Sequence, residues 1–196
     1  MYLENFDDHS VAKKRSANEL NDYRPVAITS IPFKCAEKIV LRLLKSKTAG
    51  HQDPVQFAYS KDKSTEDAIL TLLHKLYDHL DKSKLYAMVL FIDFSSACNT
   101  IQPHLLDEKH LAVSVNLVLI RWIFSFLADR PQLVRVGQVL SSLLTTNTGA
   151  PQGCVLSSAL FVLYTADCHS KEDGNVIVRS DPGRQLVIQR GRRGAD

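Results

Sequence analysis

The segment Tyr86-Ala-Met-Val-Leu-Phe-Ile-Asp-Phe94 constrains the fold of this chain more than any other part of its sequence. Apolar residues fill its odd and even positions alike, so both faces of a strand formed here have to be covered. The segment therefore predicts a central, buried β-strand. Its only charged residue is Asp93, and a buried carboxylate is costly unless a cation, an arginine or backbone donors accompany it.

Local sequence leaves two interpretations of Asp93 open. In the first, Asp93 is a metal ligand, because Mg²⁺ takes one or two protein carboxylates and completes its shell with water and phosphate oxygens. In the second, Asp93 caps the turn into Ser95 and Ser96. Both interpretations fit an aspartate at the end of an apolar strand, and the neighbouring residues do not separate them.

Apolar residues that recur three and four positions apart predict several helices. One begins after Ser30, and a second follows Ser64-Thr-Glu-Asp67, where a hydroxyl and a carboxylate can satisfy exposed N–H groups as a capping box. Pro103 is expected to begin a third helix. Two further apolar helices are expected over Leu117–Ala128 and after Cys154.

Extended segments are expected between and after these helices. The polar residues 1–20 lack periodicity and predict a loosely ordered leader. The order of helices and strands predicts an α+β fold with a partly antiparallel sheet. Alternating and β-branched residues predict strands over 26–29, 132–139 and 143–147, and a hairpin in which 175–180 and 185–189 flank Asp181-Pro-Gly183.

The length and composition favour one globular domain, and two very small domains are the alternative. Of 196 residues, 45% are hydrophobic and 23% are charged, which excludes a disordered, collagen-like or coiled-coil chain. The N-terminus is acidic and the longest apolar stretch is interrupted by Arg121, so a soluble, intracellular protein without signal peptide or membrane span is expected. The four cysteines are far apart and predict reduced thiols rather than a zinc site.

The net charge of +3 is unevenly distributed along the chain. The first 178 residues are neutral overall, whereas residues 179–196 hold five Arg against two Asp. The excess charge therefore marks a tail of different composition and does not indicate a basic surface on the rest of the chain.

The segment Gly149-Ala-Pro-Gln-Gly-Cys154 is the second candidate site. Its glycines allow positive φ and a close approach of a ligand to the backbone, and Gln152 supplies both a donor and an acceptor. It differs from the glycine-rich phosphate loops of mononucleotide and dinucleotide sites. An ordinary strand-to-helix loop is the alternative, and the sequence has no Gly-x-Ser-x-Gly elbow of a hydrolase.

Five segments in a fixed order carry a resemblance to a known family. Together they resemble the reverse transcriptase of non-LTR (LINE-type) retrotransposons, over roughly residues 11–178. The resemblance implies the fingers and partial palm of a polymerase that uses an RNA template, a DNA primer, deoxynucleoside triphosphates and Mg²⁺. The segments are Asn21-Asp-Tyr-Arg-Pro-Val-Ala-Ile-Thr-Ser30, Gln56-Phe-Ala-Tyr-Ser-Lys-Asp-Lys-Ser-Thr-Glu-Asp67, Leu90-Phe-Ile-Asp-Phe-Ser-Ser-Ala97, Asn99-Thr-Ile101 and Thr148-Gly-Ala-Pro-Gln-Gly-Cys-Val-Leu-Ser157.

The same resemblance implies roles for individual residues. Asp93 would hold catalytic metal ions, which lie roughly 3.5–4 Å apart in two-metal sites and stabilise the attacking and leaving oxygens. Lys61 and Lys63 would touch template or phosphates, although a solvated basic loop explains them equally well. The residues implied for nucleotide binding are Phe94, Ala97 and Cys98 beneath the nucleotide, Gln152 and Gly153 lining its pocket, and Arg24 reaching its triphosphate.

The sequence departs from the family pattern at three places. Cys98 stands where the family has Phe or Tyr, the aromatic residue that excludes a 2′-hydroxyl. Ser158 replaces a proline at the start of a helix. Where the family has two adjacent aspartates in a hairpin turn, this chain has Asp181 as a stand-in catalytic and metal-binding carboxylate, followed by Pro182. Two Mg²⁺ ions would repel each other there with little compensation.

These departures set the functional expectation. Residues 21–178 are expected to form the polymerase-like part, and residues 179–196 a divergent Arg/Gly-rich tail without a thumb, which a shifted reading frame would explain. We expect a reverse transcriptase fragment with impaired or absent catalysis. The alternatives are a remnant that has no function, or one that only binds RNA or DNA through Lys13, Lys14, Lys61, Lys63 and the arginine tail.

Overall fold

A computed structural model of the chain describes residues 6–13, 15, 16, 19, 22–48, 50, 53–82, 85–93, 97–112, 115–136, 138–171, 175–181 and 184–192. The helices are α1 Ile31–Thr48, α2 Thr65–Leu80, α3 Pro103–Ala112, α4 Leu117–Leu127 and α5 Ser157–Tyr164. The strands are β1 Phe6–Ala12, β2 Tyr23–Ile28, β3 Leu85–Asp93, β4 Arg130–Val136, β5 Val139–Leu140, β6 Leu144–Thr146, β7 Val176–Asp181 and β8 Arg184–Arg192. The predicted α+β class is confirmed.

The chain divides into two compact units, each built from two separate stretches of sequence. Unit 1 comprises Met1–Gly50 and Cys98–Tyr164, and unit 2 comprises His51–Ala97 and Thr165–Asp196. None of the helices in the described part of the chain combines the length and the hydropathy needed to cross a lipid bilayer.

Unit 1 contains a mixed sheet with the strand order β2-β1-β4-β5, and β6 also pairs with β4. Strand β1 runs antiparallel to β2 and parallel to β4. The prediction of a loosely ordered leader is therefore wrong for Phe6–Ala12. The reason is that β1 is held by backbone hydrogen bonds to β2 and to the distant β4, which a polar side-chain pattern does not reveal.

The core of unit 1 is formed by its helices. Leu44 of α1, Leu106 of α3, Ile123 of α4 and Leu160 of α5 are almost completely buried, and α3 contacts both α4 and α5. Each such side chain stabilises the fold by about 1.5–3 kcal/mol relative to an exposed one. The rings of Trp122 and Phe126 stack at 5.8 Å, and Phe33 stacks on Phe126 at 6.0 Å.

Unit 2 is a sheet of order β3-β8-β7 with helix α2 against one face. The predicted hairpin is confirmed as β7 and β8, which pair antiparallel, and the predicted capping box at the start of α2 is also confirmed. The core of unit 2 contains Phe57, Ala68, Leu72, Val178 and Ile188. Ile188 lies in β8, so part of the divergent tail belongs to this core.

Strand β3 differs from its prediction as a central strand buried on both faces. It lies at one edge of this sheet, and alternate residues, among them Met88 and Leu90, are more than half exposed. Ala87 and Val89 point the other way and pack on the core with α2. The prediction is wrong because an apolar pattern reports hydrophobicity, whereas the position of a strand in a sheet depends on long-range pairing.

Candidate functional site

The segment Gly149–Leu156 connects β6 to α5, and we call it the glutamine loop. Its first residues are fixed by the backbone around the short 3₁₀-helix that begins at Ala97: the Gly149 N–H donates to the Ile101 carbonyl at 2.7 Å and the Ala150 N–H to the Cys98 carbonyl at 2.8 Å. Gly149 has φ of +75°, and a Cβ there would lie 2.9 Å from the Asn99 Cα. Only glycine fits this close approach of two backbones.

Gln152 is held on both sides within the same loop. Its carbonyl accepts a 2.7 Å hydrogen bond from the Ala27 N–H of β2, and its side-chain Nε2 donates to Asn99 Oδ1 at 3.4 Å. Gly153 follows with φ of +94°, and a Cβ there would approach Val26 Cγ1 to 3.1 Å. The loop conformation is thus set by β2 and by the segment around Asn99.

A cavity of about 200 Å³ opens beside the glutamine loop within unit 1. Arg130 in its wall is only 7% exposed, and its Nη1 donates to the Gly149 carbonyl at 3.2 Å. A buried guanidinium gives this polar cavity a fixed positive charge. The cavity is lined by Asn99, Arg130, Gln132, Thr146, Thr148, Ala150, Pro151 and Gln152.

Two charged residues that hold this loop are absent from the sequence-based prediction. Neither Arg130, which contacts Gly149 at the start of the loop, nor Glu37, which contacts Leu156 at its end, belongs to a predicted site. The one feature of the sequence that could have indicated Arg130 is its position between the predicted apolar helix Leu117–Ala128 and the predicted strand 132–139. Glu37 lies 119 positions from its partner, and no local pattern indicates that contact.

Cys98 stands where the family pattern has an aromatic residue, directly after Ala97. Burial raises the pKa of the Cys98 thiol above its ordinary 9.0, so the side chain is a neutral thiol at physiological pH. Ala97 is buried at the start of the 3₁₀-helix. Neither side chain offers a flat ring to a sugar.

The predicted catalytic carboxylates lie at one end of the sheet in unit 2. Asp93 ends β3 and is exposed, and Asp181 ends β7. Both are register partners of Arg184, the first residue of β8, which runs between these two strands. Two strand spacings place the backbones of the two aspartates about 10 Å apart. An irregularity in register between Arg179 and Asp181 precedes this end.

These residues do not fit the pair of magnesium ions that the resemblance implies. No group of three or more metal-ligating side chains occurs among the residues whose positions are described. Pro182 stands where a second adjacent aspartate is expected, and the strand between the two carboxylates begins with an arginine. A dication needs several oxygen ligands, and the donor set available here is small.

Arg179, the first residue of the predicted tail, is deeply buried in unit 2. Its Nη1 lies 2.5 Å from Asp53 Oδ2, its Nη2 donates to the Cys168 carbonyl, and its side chain is 3% exposed. Its backbone carbonyl accepts from the N–H groups of Phe57 and Ala58. Arg179 therefore fixes the loop before α2 to strand β7.

The remaining predicted residues have separate environments. The Lys63 ammonium donates to the carbonyls of Pro54 at 2.8 Å and Gln56 at 3.1 Å and lies 4.9 Å from the centre of the Phe57 ring. Lys61 is exposed beside Asp62, with 3.8 Å between Nζ and Oδ2. Arg24 lies in β2 opposite Val11, and Phe94 lies outside the described residues, as do Lys14 and Pro182.

Comparison with known proteins identifies a family over most of the chain. A family model described as reverse transcriptase (RNA-dependent DNA polymerase) matches residues 11–177. The RNA-directed DNA polymerase from mobile element jockey of Drosophila melanogaster is 26% identical over 156 residues, which cover 78% of this chain and 17% of that protein. The probable RNA-directed DNA polymerase from transposon BS of the same organism is 26% identical over 186 residues, covering 91% and 19%. The chain thus spans less than a fifth of either relative.

Solved structures with a similar fold are telomerases of Candida species. One from Candida albicans, in complex with the TWJ fragment of telomeric RNA, has a TM-score of 0.62 at 15% identity and covers 95% of this chain and 37% of that chain. One from Candida tropicalis, truncated from its C-terminal domain, has a TM-score of 0.60 at 14% identity and covers 85% and 41%. At this identity the similarity concerns the fold.

Proposed function

Because this chain belongs to the reverse transcriptase family, in the branch of the non-LTR mobile elements, we propose that it retains nucleotide binding and has lost most polymerase activity. The chain corresponds to a fragment of an RNA-directed DNA polymerase. Residues 21–178 are the polymerase-like part in this proposal, residues 1–20 precede it, and residues 179–196 diverge from it. The family match, which ends at residue 177, supports the second boundary.

The glutamine loop is the observation that carries the proposal. Its backbone is fixed by hydrogen bonds from Ala27, to Cys98 and to Ile101, and the amide of Gln152 is held by Asn99 beside a polar cavity. Preorganised donors bind a polar ligand without a further loss of side-chain entropy. We therefore assign Gln152 and Gly153 to nucleotide binding. For Arg24, Phe94, Ala97 and Cys98, the resemblance to the family is the ground for proposing further contacts, and the geometry of the loop is not.

The carboxylate end of the sheet in unit 2 supports the loss of catalysis. Reverse transcriptases generally use Mg²⁺, and Asp93 with Asp181 would be its ligands in this chain. When bound, the metal ions would supply charge stabilisation to the phosphoryl transfer. With Pro182 after Asp181 and Arg184 opposite both aspartates, we propose that magnesium binding is weak and that primer extension is correspondingly slow.

Template binding is the third part of the proposal. The fold is shared with a telomerase solved in complex with telomeric RNA, which supports an RNA template and a DNA primer as partners. Lys61 is exposed and available for phosphates, whereas Lys63 is bonded to two backbone carbonyls and acts on the template only through the loop that it holds. Phosphate contacts of this kind weaken as salt concentration rises.

Primer extension and nucleotide binding test the proposal together. The full chain is incubated with an RNA template, a DNA primer, deoxynucleoside triphosphates and Mg²⁺, beside the variant Asp93→Asn. We expect only background primer extension from both proteins. In a separate equilibrium measurement, we expect Gln152→Ala to weaken the binding of a deoxynucleoside triphosphate about five-fold, because one hydrogen bond is lost. Gln102→Ala, an exposed glutamine of unit 1, is the matched control and is expected to bind as the unchanged chain does.

Each part of this proposal has its own contradicting outcome. Extension by the unchanged chain that disappears in Asp93→Asn would show an intact catalytic site. Absence of nucleotide binding, together with salt-sensitive binding of RNA or DNA, would support the nucleic-acid-binding remnant instead.

A further inference from the structure

Glu37 is a carboxylate enclosed in the core of unit 1. It lies in the middle of α1, its relative exposure is 0%, and its Oε2 accepts a hydrogen bond from the Leu156 N–H at 3.0 Å. Leu156 immediately precedes the first residue of α5, where backbone N–H groups have no partner within the helix. Glu37 therefore satisfies one N–H group at the start of α5.

The surroundings of Glu37 make this arrangement costly. Burial raises the pKa of the carboxyl above its ordinary 4.5, although the Leu156 and Val155 N–H groups, the Cys154 thiol and the Lys34 ammonium all act in the opposite direction. Oε1 is buried without a hydrogen-bond partner among the described residues. An apolar residue would avoid this penalty, so the carboxylate has a role that packing alone does not explain.

The location of the bond indicates that role. Leu156 ends the glutamine loop, only three residues after Gly153, and Arg130 holds Gly149 at the other end. A loop fixed at both ends has few conformations, and the side chain of Gln152 lies between the two anchors. Loss of either anchor would let Gln152 sample positions away from Asn99.

We propose that Glu37 is a positioning residue, which fixes the end of the glutamine loop and thereby sets the affinity of Gln152 for a deoxynucleoside triphosphate. This inference rests on the proposed function. Glu37 acts through the Leu156 N–H and touches no nucleotide. The proposal depends on an acceptor oxygen 3.0 Å from the Leu156 nitrogen, so a side chain of the same length that carries an acceptor would preserve the function of Glu37.

The test uses the full chain with Glu37→Ala, Glu37→Asp and Glu37→Gln. Glu108→Gln, an exposed glutamate of α3, is the matched control. Amide hydrogen exchange of the loop is measured by mass spectrometry relative to that of the sheet in unit 2, and the Kd for a deoxynucleoside triphosphate is measured by titration calorimetry. The exchange measurement needs no catalytic activity and no bound nucleotide.

Alanine and aspartate are expected to lose the bond, because neither side chain reaches Leu156. Loop exchange and the Kd should each rise about ten-fold, with the exchange of unit 2 unchanged, since the buried Leu156 N–H is left without its acceptor. Glutamine retains an acceptor at the same distance and should stay within about three-fold of the unchanged chain. Glu108→Gln should alter neither measurement.

Two results would overturn the proposal. The first is faster exchange throughout the molecule in equal proportion, which indicates a contribution to stability alone; if Glu37→Ala does not fold, Glu37→Asp gives the same comparison. The second is a Glu37→Gln variant as impaired as Glu37→Ala. If the unchanged chain binds no nucleotide, the proposed function fails, and loop exchange by itself then decides whether Glu37 positions the loop.

Discussion

The glutamine loop of unit 1 and the carboxylate end of the sheet in unit 2 differ in how their structures are maintained. The loop is held mainly through main-chain atoms, by bonds with Ala27, Cys98 and Ile101, and by the buried side chains of Glu37 and Arg130. The sheet end depends on which side chains occupy a few positions around one turn. Most substitutions in the loop region preserve backbone bonds, whereas one substitution at the turn removes a ligand.

Under the proposed function, this difference explains how a chain keeps a binding geometry and loses the chemistry that used it. Preorganisation is shared among many contacts, so removal of one weakens the binding geometry without abolishing it. Metal binding requires several oxygen atoms around one point, so in this proposal an aspartate replaced by Pro182 is not offset by its neighbours. Four substitutions or conditions test this comparison.

The largest effect is expected at Arg179, and it tests whether unit 2 is a stable fold alongside its proposed loss of metal binding. Arg179→Met should lower the free energy of unfolding by about 3–5 kcal/mol, because it leaves the 14%-exposed Asp53 carboxylate without its buried partner. Urea denaturation measures the loss. Lys61→Met, which removes an exposed ion pair, should cause no measurable change. Equal effects in both variants would mean that the buried pair does not hold the unit.

Gly149→Ala tests the other side of the comparison, the main-chain anchoring of the loop. A Cβ at φ of +75° and 2.9 Å from the Asn99 backbone should cost about 2–3 kcal/mol and weaken nucleotide binding. Gly50→Ala is the matched control, because a Cβ there meets nothing within 4 Å, and it should change the unfolding free energy by less than about 0.5 kcal/mol. Equal unfolding free energies for Gly149→Ala and Gly50→Ala would contradict the main-chain anchoring of the loop.

Pro182→Asp tests whether one missing carboxylate accounts for the weak magnesium binding proposed for the carboxylate end of the sheet. An adjacent aspartate beside Asp181 should tighten Mg²⁺ binding about ten-fold, because each added carboxylate brings charge and ligand oxygens to the same turn. Titration calorimetry with MgCl₂ measures this, and the double variant with Asp93→Asn should lose most of the gain. An unchanged affinity would place the defect elsewhere, with Arg184 as the next residue to replace.

The smallest effect concerns the pH dependence of stability that Glu37 contributes. Because burial raises its pKa in the folded chain, folded Glu37 holds its proton more tightly than the unfolded chain does. The stability from this proton is complete below about pH 4.5 and is lost as pH rises through the raised pKa. The free energies of unfolding of the unchanged chain and of Glu37→Gln, measured between pH 4 and 8, should therefore diverge by at most about 1.4 kcal/mol per pH unit.

Lys34 and the Cys154 thiol face the same carboxyl and are present in both proteins. If the difference in unfolding free energy between the two proteins stays constant from about pH 4 to 8, the Glu37 carboxyl is not desolvated. A stability gain for the unchanged chain with rising pH, relative to Glu37→Gln, would reverse the sign and contradict the burial argument.

Local patterns in the sequence predict most helices and the hairpin correctly. Ser64 and Asp67 form the expected capping box, and Pro103 begins the expected helix. These features depend on residues within one or two turns of each other. The predictions for Phe6–Ala12 and for the position of β3 are wrong, because both depend on which distant strands pair.

The candidate site follows the same division. Gln152, Gly153 and Asp93 are identified from short segments and their order along the chain. Glu37 and Arg130 are not, because a buried charge is recognised only by the partner that it meets in the fold. The roles of all predicted site residues stay predictions until nucleotide and metal binding are measured.

The central place of β8 in the sheet of unit 2 has a consequence for how the chain is made. Its partner β3 leaves the ribosome roughly a hundred residues earlier and has to wait, with the backbone groups that pair with β8 still unpaired, until β8 arrives. Meanwhile most of unit 1 is synthesised between the two halves of unit 2. Nascent chains that stall before residue 184 are therefore expected to depend on chaperones and to aggregate when these are scarce.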